Sequence, residues 1–166
     1  LRIEISHQLR KCRQFFKRED LLPIAKELVK DSIWVVRCDA AVSFIELMDV
    51  NDVQFINELS NSEKYYVREE ASLIISQMDI EIISKTKIVI CEILQKLAKD
   101  KVVNVKIEAA KAVRVLIKEF PDYKELVDIA DVLSKDNDTD VVFAINNDIK
   151  EEGDIDEEEE EEEEEN

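Results

Sequence analysis

Apolar residues recur along this chain in units of 31 to 38 residues. Each unit contains a valine anchor, which is followed by a basic residue in the first three units. The anchors are Val36-Arg37, Val67-Arg68, Val105-Lys106 and Val141-Val142, spaced by 31, 38 and 36 residues. Self-similarity at this period is typical of a solenoid, in which each unit buries its apolar face against its neighbours.

Within each unit the apolar spacing predicts two antiparallel helices, A and B. Offsets 0, +4, +8 and +11 from the anchor share one face of a helix, and offsets −15, −12 and −8 form a second stripe. The B stripes are Val36, Ala40, Phe44 and Leu47; Val67, Ala71, Ile75 and Met78; and Val105, Ala109, Val113 and Leu116. The A stripes include Leu21, Ile24 and Leu28, and Ile90, Ile93 and Leu97. We therefore predict an all-α fold, with a B helix at 2–17 and A/B pairs at 20–30/33–48, 51–60/63–78, 85–99/103–119 and 123–135/139–150.

The same register reaches the first residue. Leu1-Arg2 fits the anchor, and Ile5 and Leu9 follow at the right offsets. A repeat array needs a polar-faced capping unit at its end, and Leu1 does not provide one. We therefore expect the chain to open in the middle of a repeat and to be part of a longer protein.

Each predicted turn between helices A and B starts with a residue that caps helices well. These residues are Asp31, Ser62, Asp100 and Asp136, and we expect them to be N-caps of the B helices. Pro121 is expected to start the last A helix, where a proline costs no hydrogen bond. The bases Arg37, Arg68 and Lys106 are expected to bridge to acids of adjacent turns rather than to bind phosphate.

Composition excludes several kinds of site. The chain has a single glycine, Gly153, so it has no Gly-rich phosphate loop and no dinucleotide fingerprint. Three cysteines without a CxxC pair, and one histidine, His7, offer no metal or catalytic set. We therefore expect no enzyme activity, no metal and no cofactor. No apolar run is long enough for a membrane span, and we expect a cytoplasmic or nuclear protein.

The charge of −17 is concentrated at the C-terminal end of the sequence. Residues 148–166 contain 14 acids and one lysine, which leaves −4 for residues 1–147. The predicted folded part is therefore nearly balanced, and we expect no nucleic-acid binding. Glutamate pairs such as Glu69-Glu70 are expected on solvent faces.

A run of nine glutamates, Glu157–Glu165, ends the chain before Asn166. Like charges four residues apart oppose helix formation, so we expect residues 151–166 to form a disordered acidic tail. One interpretation is a solubilising end. The alternative is a segment that holds a basic partner protein.

The columns of the repeat resemble those of HEAT repeats. The shared features are Leu and Ile in helix A, an acidic turn, a Val-Arg anchor and paired small residues such as Ala40-Ala41 in helix B. The segments 97–106 and 136–144 are similar to the last repeats of the protein phosphatase 2A scaffold and protein phosphatase 4 regulatory subunits. The turns around Trp34 and Tyr65 resemble the latter. The resemblance implies a right-handed α-solenoid of about five HEAT repeats over residues 1–150.

The resemblance also implies a function. It identifies the chain as a non-catalytic scaffold that binds the catalytic subunit of a serine/threonine protein phosphatase through its A–B turns. The candidate contact residues lie in or beside those turns; they are Trp34, Tyr65, Lys101, Val103, Asn104 and Asp138. The alternative for Trp34 and Tyr65 is that both rings pack over the adjacent repeat. The alternative for the whole chain is another HEAT adaptor, such as a transport receptor or a microtubule or chromatin assembly factor.

Removing the acidic tail should leave stability almost unchanged. Exposed like charges contribute no packed core, so deletion of residues 151–166 is expected to shift the melting temperature by no more than about 2 °C. Thermal unfolding followed by circular dichroism checks this. A drop of many degrees would show that the tail docks on the folded part.

Overall fold

The computed structural model describes residues 1–147, and the predicted acidic tail and the last three residues of the predicted final helix lie outside them. Within the described range the fold is all-α. The helices are α1 (Arg2–Cys12), α2 (Arg18–Leu28), α3 (Trp34–Leu47), α4 (Val53–Ser60), α5 (Tyr65–Gln77), α6 (Ile80–Leu97), α7 (Val103–Glu119), α8 (Lys124–Ser134) and α9 (Thr139–Asn146). A short 3₁₀ turn, Val50–Asp52, precedes α4.

The helices form two rows that run along the molecule. In one row α1, α3, α5, α7 and α9 each pack on the next; we call these the B helices. The A helices α2, α4, α6 and α8 each pack on the B helix that follows them in sequence, and α4, α6 and α8 also pack on one another in order. Every unit therefore buries its apolar face against its neighbours.

The predicted B stripes form the core. All twelve of their residues are buried, from Val36 to Leu116. The small pairs that follow the anchors, such as Ala40-Ala41 and Ala109-Ala110, are fully buried and let successive B helices approach closely. Ile90, Ile93 and Leu97 are buried as predicted on the A side. Ile24 is not, because 42% of it is exposed beside Ile5 at the start of the described chain, where no further helix covers it.

Three helix boundaries differ from the prediction. Helix α1 ends at Cys12, earlier than expected. Helix α8 begins at Lys124, so Pro121 lies in the turn before it and does not start the helix. Helix α6 begins at Ile80 and is kinked at Thr86 (φ −124°, ψ 17°), because the longest of the anchor spacings leaves additional residues that continue the helix backwards.

The acids in the A–B turns do not cap the helices in the predicted way. Ile33, Lys64 and Val102 are the N-caps of α3, α5 and α7, and none of them makes a side-chain cap. The acids stand two residues earlier and close tight turns instead. Asp31 Oδ1 accepts a hydrogen bond from Ile33 N–H (2.8 Å), and Asp100 Oδ1 accepts one from Val102 N–H (2.9 Å).

Consecutive turns are joined by the predicted ladder of ion pairs. Arg68 donates two hydrogen bonds to Asp100, from Nε to Oδ2 (2.6 Å) and from Nη2 to Oδ1 (2.9 Å). Its Nη1 also donates to the carbonyls of Ser62 and Glu63, in its own turn. Lys106 Nζ donates to both carboxylate oxygens of Asp136 at 2.7 Å. Each base therefore fixes the position of the next turn along the molecule.

The ladder has one irregular position. Ser62 stands where the other turns carry aspartate, so Arg37 cannot find a carboxylate there. Its Nε lies 3.4 Å from Glu70 Oε2 on α5 instead, while Nη1 donates to the carbonyls of Asp31 and Ser32. The Arg37 guanidinium is buried and lies over the ring of Tyr66, 4.6 Å from its centroid.

The ladder changes how its carboxylates ionise. Burial opposes ionisation of Asp100, but the Arg68 hydrogen bonds and charge outweigh it and hold its pKa below 3.8, the usual value. The hydrogen bond from Lys106 likewise lowers the pKa of Asp136. A carboxyl group with a lowered pKa in the folded state stabilises the fold above its unfolded-state pKa, and this contribution is lost as the pH falls.

Removing one ion pair of the ladder should lower the stability of the fold. Arg68→Met leaves the Asp100 carboxylate, whose side chain is 10% exposed, without its partner and frees two turn carbonyls, so the free energy of unfolding should fall by about 3 kcal/mol. Lys85→Met is the matched control, because Lys85 pairs with Glu81 on an exposed helix surface, and a change of no more than ~0.5 kcal/mol is expected. Urea denaturation of both variants measures the difference. Equal effects would mean that the ladder contributes nothing to stability.

Candidate partner-binding surface

The A–B turns lie along one edge of the molecule, and the first residues of the B helices follow one another along this edge. Trp34, Tyr65, Val103 and Thr139 are the first residues of α3, α5, α7 and α9. Trp34 is 67% exposed, so most of its surface is open to solvent; whether it also packs over the adjacent repeat stays a prediction. Tyr65 is 47% exposed, and its ring meets that of Tyr66 edge-on, with centroids 5.6 Å apart. Val103 is half-buried.

The remaining candidate residues have different roles. Lys101 is exposed in the turn between α6 and α7, where its charge helps to lower the pKa of Asp100. Asn104 is exposed in the first turn of α7. Asp138 is half-buried and is the N-cap of α9, since its Oδ1 accepts a hydrogen bond from Asp140 N–H (3.0 Å). Its position is therefore explained by local structure.

The structure brings two of these candidates to one pocket. Trp34 of α3 and Asn104 of α7 lie on its wall, with α5 between them, and its volume is about 210 Å³. The wall also contains Glu69 and Glu70 of α5 and Glu108 of α7. We call this the Trp34 pocket. Lys101, Val103, Tyr65 and Asp138 are not part of its wall.

The carboxylates of the Trp34 pocket are incompletely paired. Glu70 is only 4% exposed, and its Oε1 has no hydrogen-bond partner. The Oε1 of Glu69 is likewise buried without a partner. Glu108 forms an ion pair with Lys111 (2.7 Å). Buried polar atoms in folded proteins nearly always have a partner, so these two oxygens mark an unusual site.

Burial is the main cause of an altered ionisation at the Trp34 pocket. It raises the pKa of Glu70 from 4.5 to about 7, against the opposing charge and hydrogen bond of Arg37. The negative charges of Glu69 and Glu108 raise it further. The pKa of Glu69 is also raised, by burial first and then by Glu108. The pocket therefore favours the protonated form of Glu69 and Glu70.

The expectation that Glu69 and Glu70 lie on a solvent face was wrong. The signal that could have corrected it is a column of acids three residues after four of the five anchors, namely Glu4, Asp39, Glu70 and Glu108. This column follows the column of bases at offset +1, and both lie on the row of B helices. A base can then pair with an acid of the next unit, as Arg37 does with Glu70.

Other kinds of site are not formed within residues 1–147. No group of three or more His, Cys, Asp or Glu side chains in this range could hold a metal ion. No helix there combines the length and the hydrophobicity needed to cross a membrane. The three cysteines are free; Cys91 is buried, but Cys12 and Cys38 are only half-buried.

The fold is similar to two solved structures. The X-ray structure of the Escherichia coli protein YibA matches 86% of this chain with a TM-score of 0.65 and 20% identity, and the chain spans 50% of the length of that structure. An engineered protein matches 86% of this chain and 69% of its own, with a TM-score of 0.55 and 18% identity. At these identities the similarity shows the helical fold alone. No protein-family model and no curated protein sequence matches the chain.

Replacing Glu70 should change the pH dependence of stability. A raised carboxyl pKa favours the folded state below the unfolded-state pKa, and this contribution is lost as the pH rises through the folded-state pKa. Glu70→Gln should therefore gain stability relative to wild type between about pH 4.5 and 7.5, by on the order of 2 kcal/mol. Urea denaturation across this range measures it, with the exposed Glu27→Gln as control. If the difference in free energy of unfolding between Glu70→Gln and wild type does not change with pH, the prediction is wrong.

Proposed function

We propose that the chain is a non-catalytic scaffold built as a right-handed HEAT-type solenoid, which binds a partner protein along its A–B turns and the adjoining B helices. The observation that carries this proposal is the exposure of Trp34 at the start of α3. A large aromatic side chain that protrudes from a rigid helix loses little entropy on binding and is the kind of residue that dominates interface energies.

The packing of the helices supports a scaffold. Two rows of helices, in which each unit contacts only its neighbours, give an extended surface rather than an enclosed cleft. The ladder holds successive turns at fixed positions through Arg68–Asp100 and Lys106–Asp136, so residues at the edge are presented in a defined order. Such preorganisation reduces the entropic cost of binding.

The particular partner that we propose is the catalytic subunit of a serine/threonine protein phosphatase. The support for it is the resemblance of the turns and anchors to the phosphatase 2A and 4 regulatory subunits. The segments that would contact it are 31–35, 62–66, 100–104 and 136–140, with Trp34 at the centre of the contact and Lys101 and Asn104 at its rim.

Truncating Trp34 should weaken this binding without unfolding the protein. In the complex of the full chain with a purified phosphatase catalytic subunit, Trp34→Ala should raise the dissociation constant about tenfold or more, because a buried interface tryptophan often contributes ~2 kcal/mol. The melting temperature should stay the same, since the ring is mostly exposed. Phe15→Ala is the control, because Phe15 is also exposed but lies between α1 and α2.

The opposite results are equally clear. Unchanged affinity with a lower melting temperature would make Trp34 a packing residue. If the wild-type chain does not bind the phosphatase subunit at all, the phosphatase partner is wrong, and the adaptor alternative takes its place.

A further inference from the structure

The Trp34 pocket combines an aromatic wall with an excess of negative charge. The Trp34 side chain comes from α3, Glu69 and Glu70 from α5, and Glu108 from α7. Arg37 is the one basic residue of the wall, and Lys111, outside the wall, pairs with Glu108 (2.7 Å), so Glu69 and Glu70 share a single guanidinium. This arrangement is formed only where three B helices meet.

The Arg37 guanidinium does not provide a hydrogen bond to every carboxylate oxygen of the pocket. Its Nη1 is used by the carbonyls of Asp31 and Ser32, its plane lies over Tyr66, and its Nε reaches only Oε2 of Glu70, at 3.4 Å. Oε1 of Glu70 and Oε1 of Glu69 remain without a partner although both are buried. A nearly fully buried carboxyl group with a free oxygen is costly, and a donor from outside the chain would remove that cost.

The residues of the pocket wall indicate which kind of hydrogen-bond donor would bind there. An indole ring attracts a cation over its face, and carboxylate oxygens accept charge-assisted hydrogen bonds. A volume of about 210 Å³ is below that of pockets for drug-sized molecules but suits one side chain. A guanidinium fits best, because it stacks on aromatic rings and carries donors in a planar fork that can reach two oxygens.

We propose that the Trp34 pocket binds an arginine side chain of a partner protein, with the guanidinium stacked on Trp34 and hydrogen-bonded to the carboxyl groups of Glu69 and Glu70, which rotate to present their unpaired oxygens. This inference rests on the proposed function only in that both place a partner on this surface. It adds the chemistry by which the partner would be recognised. The Asn104 side chain, at the rim, acts on the Glu69 carboxyl group as a hydrogen-bond donor that partly offsets the raised pKa of Glu69.

The single tryptophan of the chain makes the pocket directly observable. Trp34 is the only tryptophan in 166 residues, so all tryptophan fluorescence comes from this site. Titration of the full chain with N-acetyl-arginine amide should change that fluorescence saturably, with a roughly millimolar dissociation constant. N-acetyl-citrulline amide, which carries an uncharged urea in place of the guanidinium, should give no saturable change. Equal responses to the two amides would overturn the proposal.

Carboxyl variants locate the binding site. Glu70→Gln and Glu69→Gln should each weaken binding of the arginine amide by roughly fivefold or more, while Glu27→Gln, with the same loss of charge on an exposed part of α2, should leave it unchanged. If all three variants bind equally, the site is elsewhere and the proposal fails. Should Glu70→Gln not fold, the less buried Glu69→Gln decides by the same criterion.

The experiment separates the two proposals. The arginine titration needs no phosphatase, so saturable binding without phosphatase binding would refute the proposed partner and leave the arginine site standing. Phosphatase binding that depends on Trp34, without any response to the arginine amide, would refute the arginine site and leave the scaffold role standing.

Discussion

A buried guanidinium must be paired, and Arg37 and Arg68, the two buried arginines within residues 1–147, both pair with an acid of the next unit. Arg68 lies between two turns, with two hydrogen bonds to Asp100 ahead of it and two to carbonyls of its own turn behind it. Arg2, whose side chain is mostly exposed, also reaches the acid of the next turn, Asp31, at 3.0 Å. Because one side chain holds both turns, the ion pairs help to set the distance between successive B helices at their N-terminal ends. The apolar stripes pack in a register that keeps these charges paired.

The pocket lies where the ladder between turns is interrupted. Ser62 has no carboxylate to offer, so Arg37 Nε lies 3.4 Å from Glu70 on α5 instead, while its Nη1 stays with the carbonyls of its own turn. One arginine is then too little for the acids that surround it, since Glu70 and Glu69 each keep a free oxygen. The exposed Trp34 lines the same pocket as these two glutamates. The serine at this turn position and the acids of α5 and α7 together leave this pocket with unpaired carboxylate oxygens.

The periodic part of the structure could be predicted, and the non-periodic part could not. The stripes from Val36 to Leu116 follow from helix geometry alone, so the all-helical fold and the pairing of helices were accessible from the sequence. The kink at Thr86 and the late start of α8 after Pro121 depend on how extra residues fit between units. The burial of Glu70 depends on Arg37 and on two neighbouring helices at once. No local pattern contains that information, although the column of acids was visible.

The bases of the ladder are not equivalent in how strictly they fix direction. Arg68 makes four hydrogen bonds through one planar group, so it sets both the distance and the orientation of the next turn. Lys106 contacts both oxygens of Asp136 through a single ammonium, which sets the distance but not the orientation. The orientation of α9 on α7 therefore depends on other contacts, among them the hydrogen bond from Arg114 to the carbonyl of Ala144 (2.9 Å).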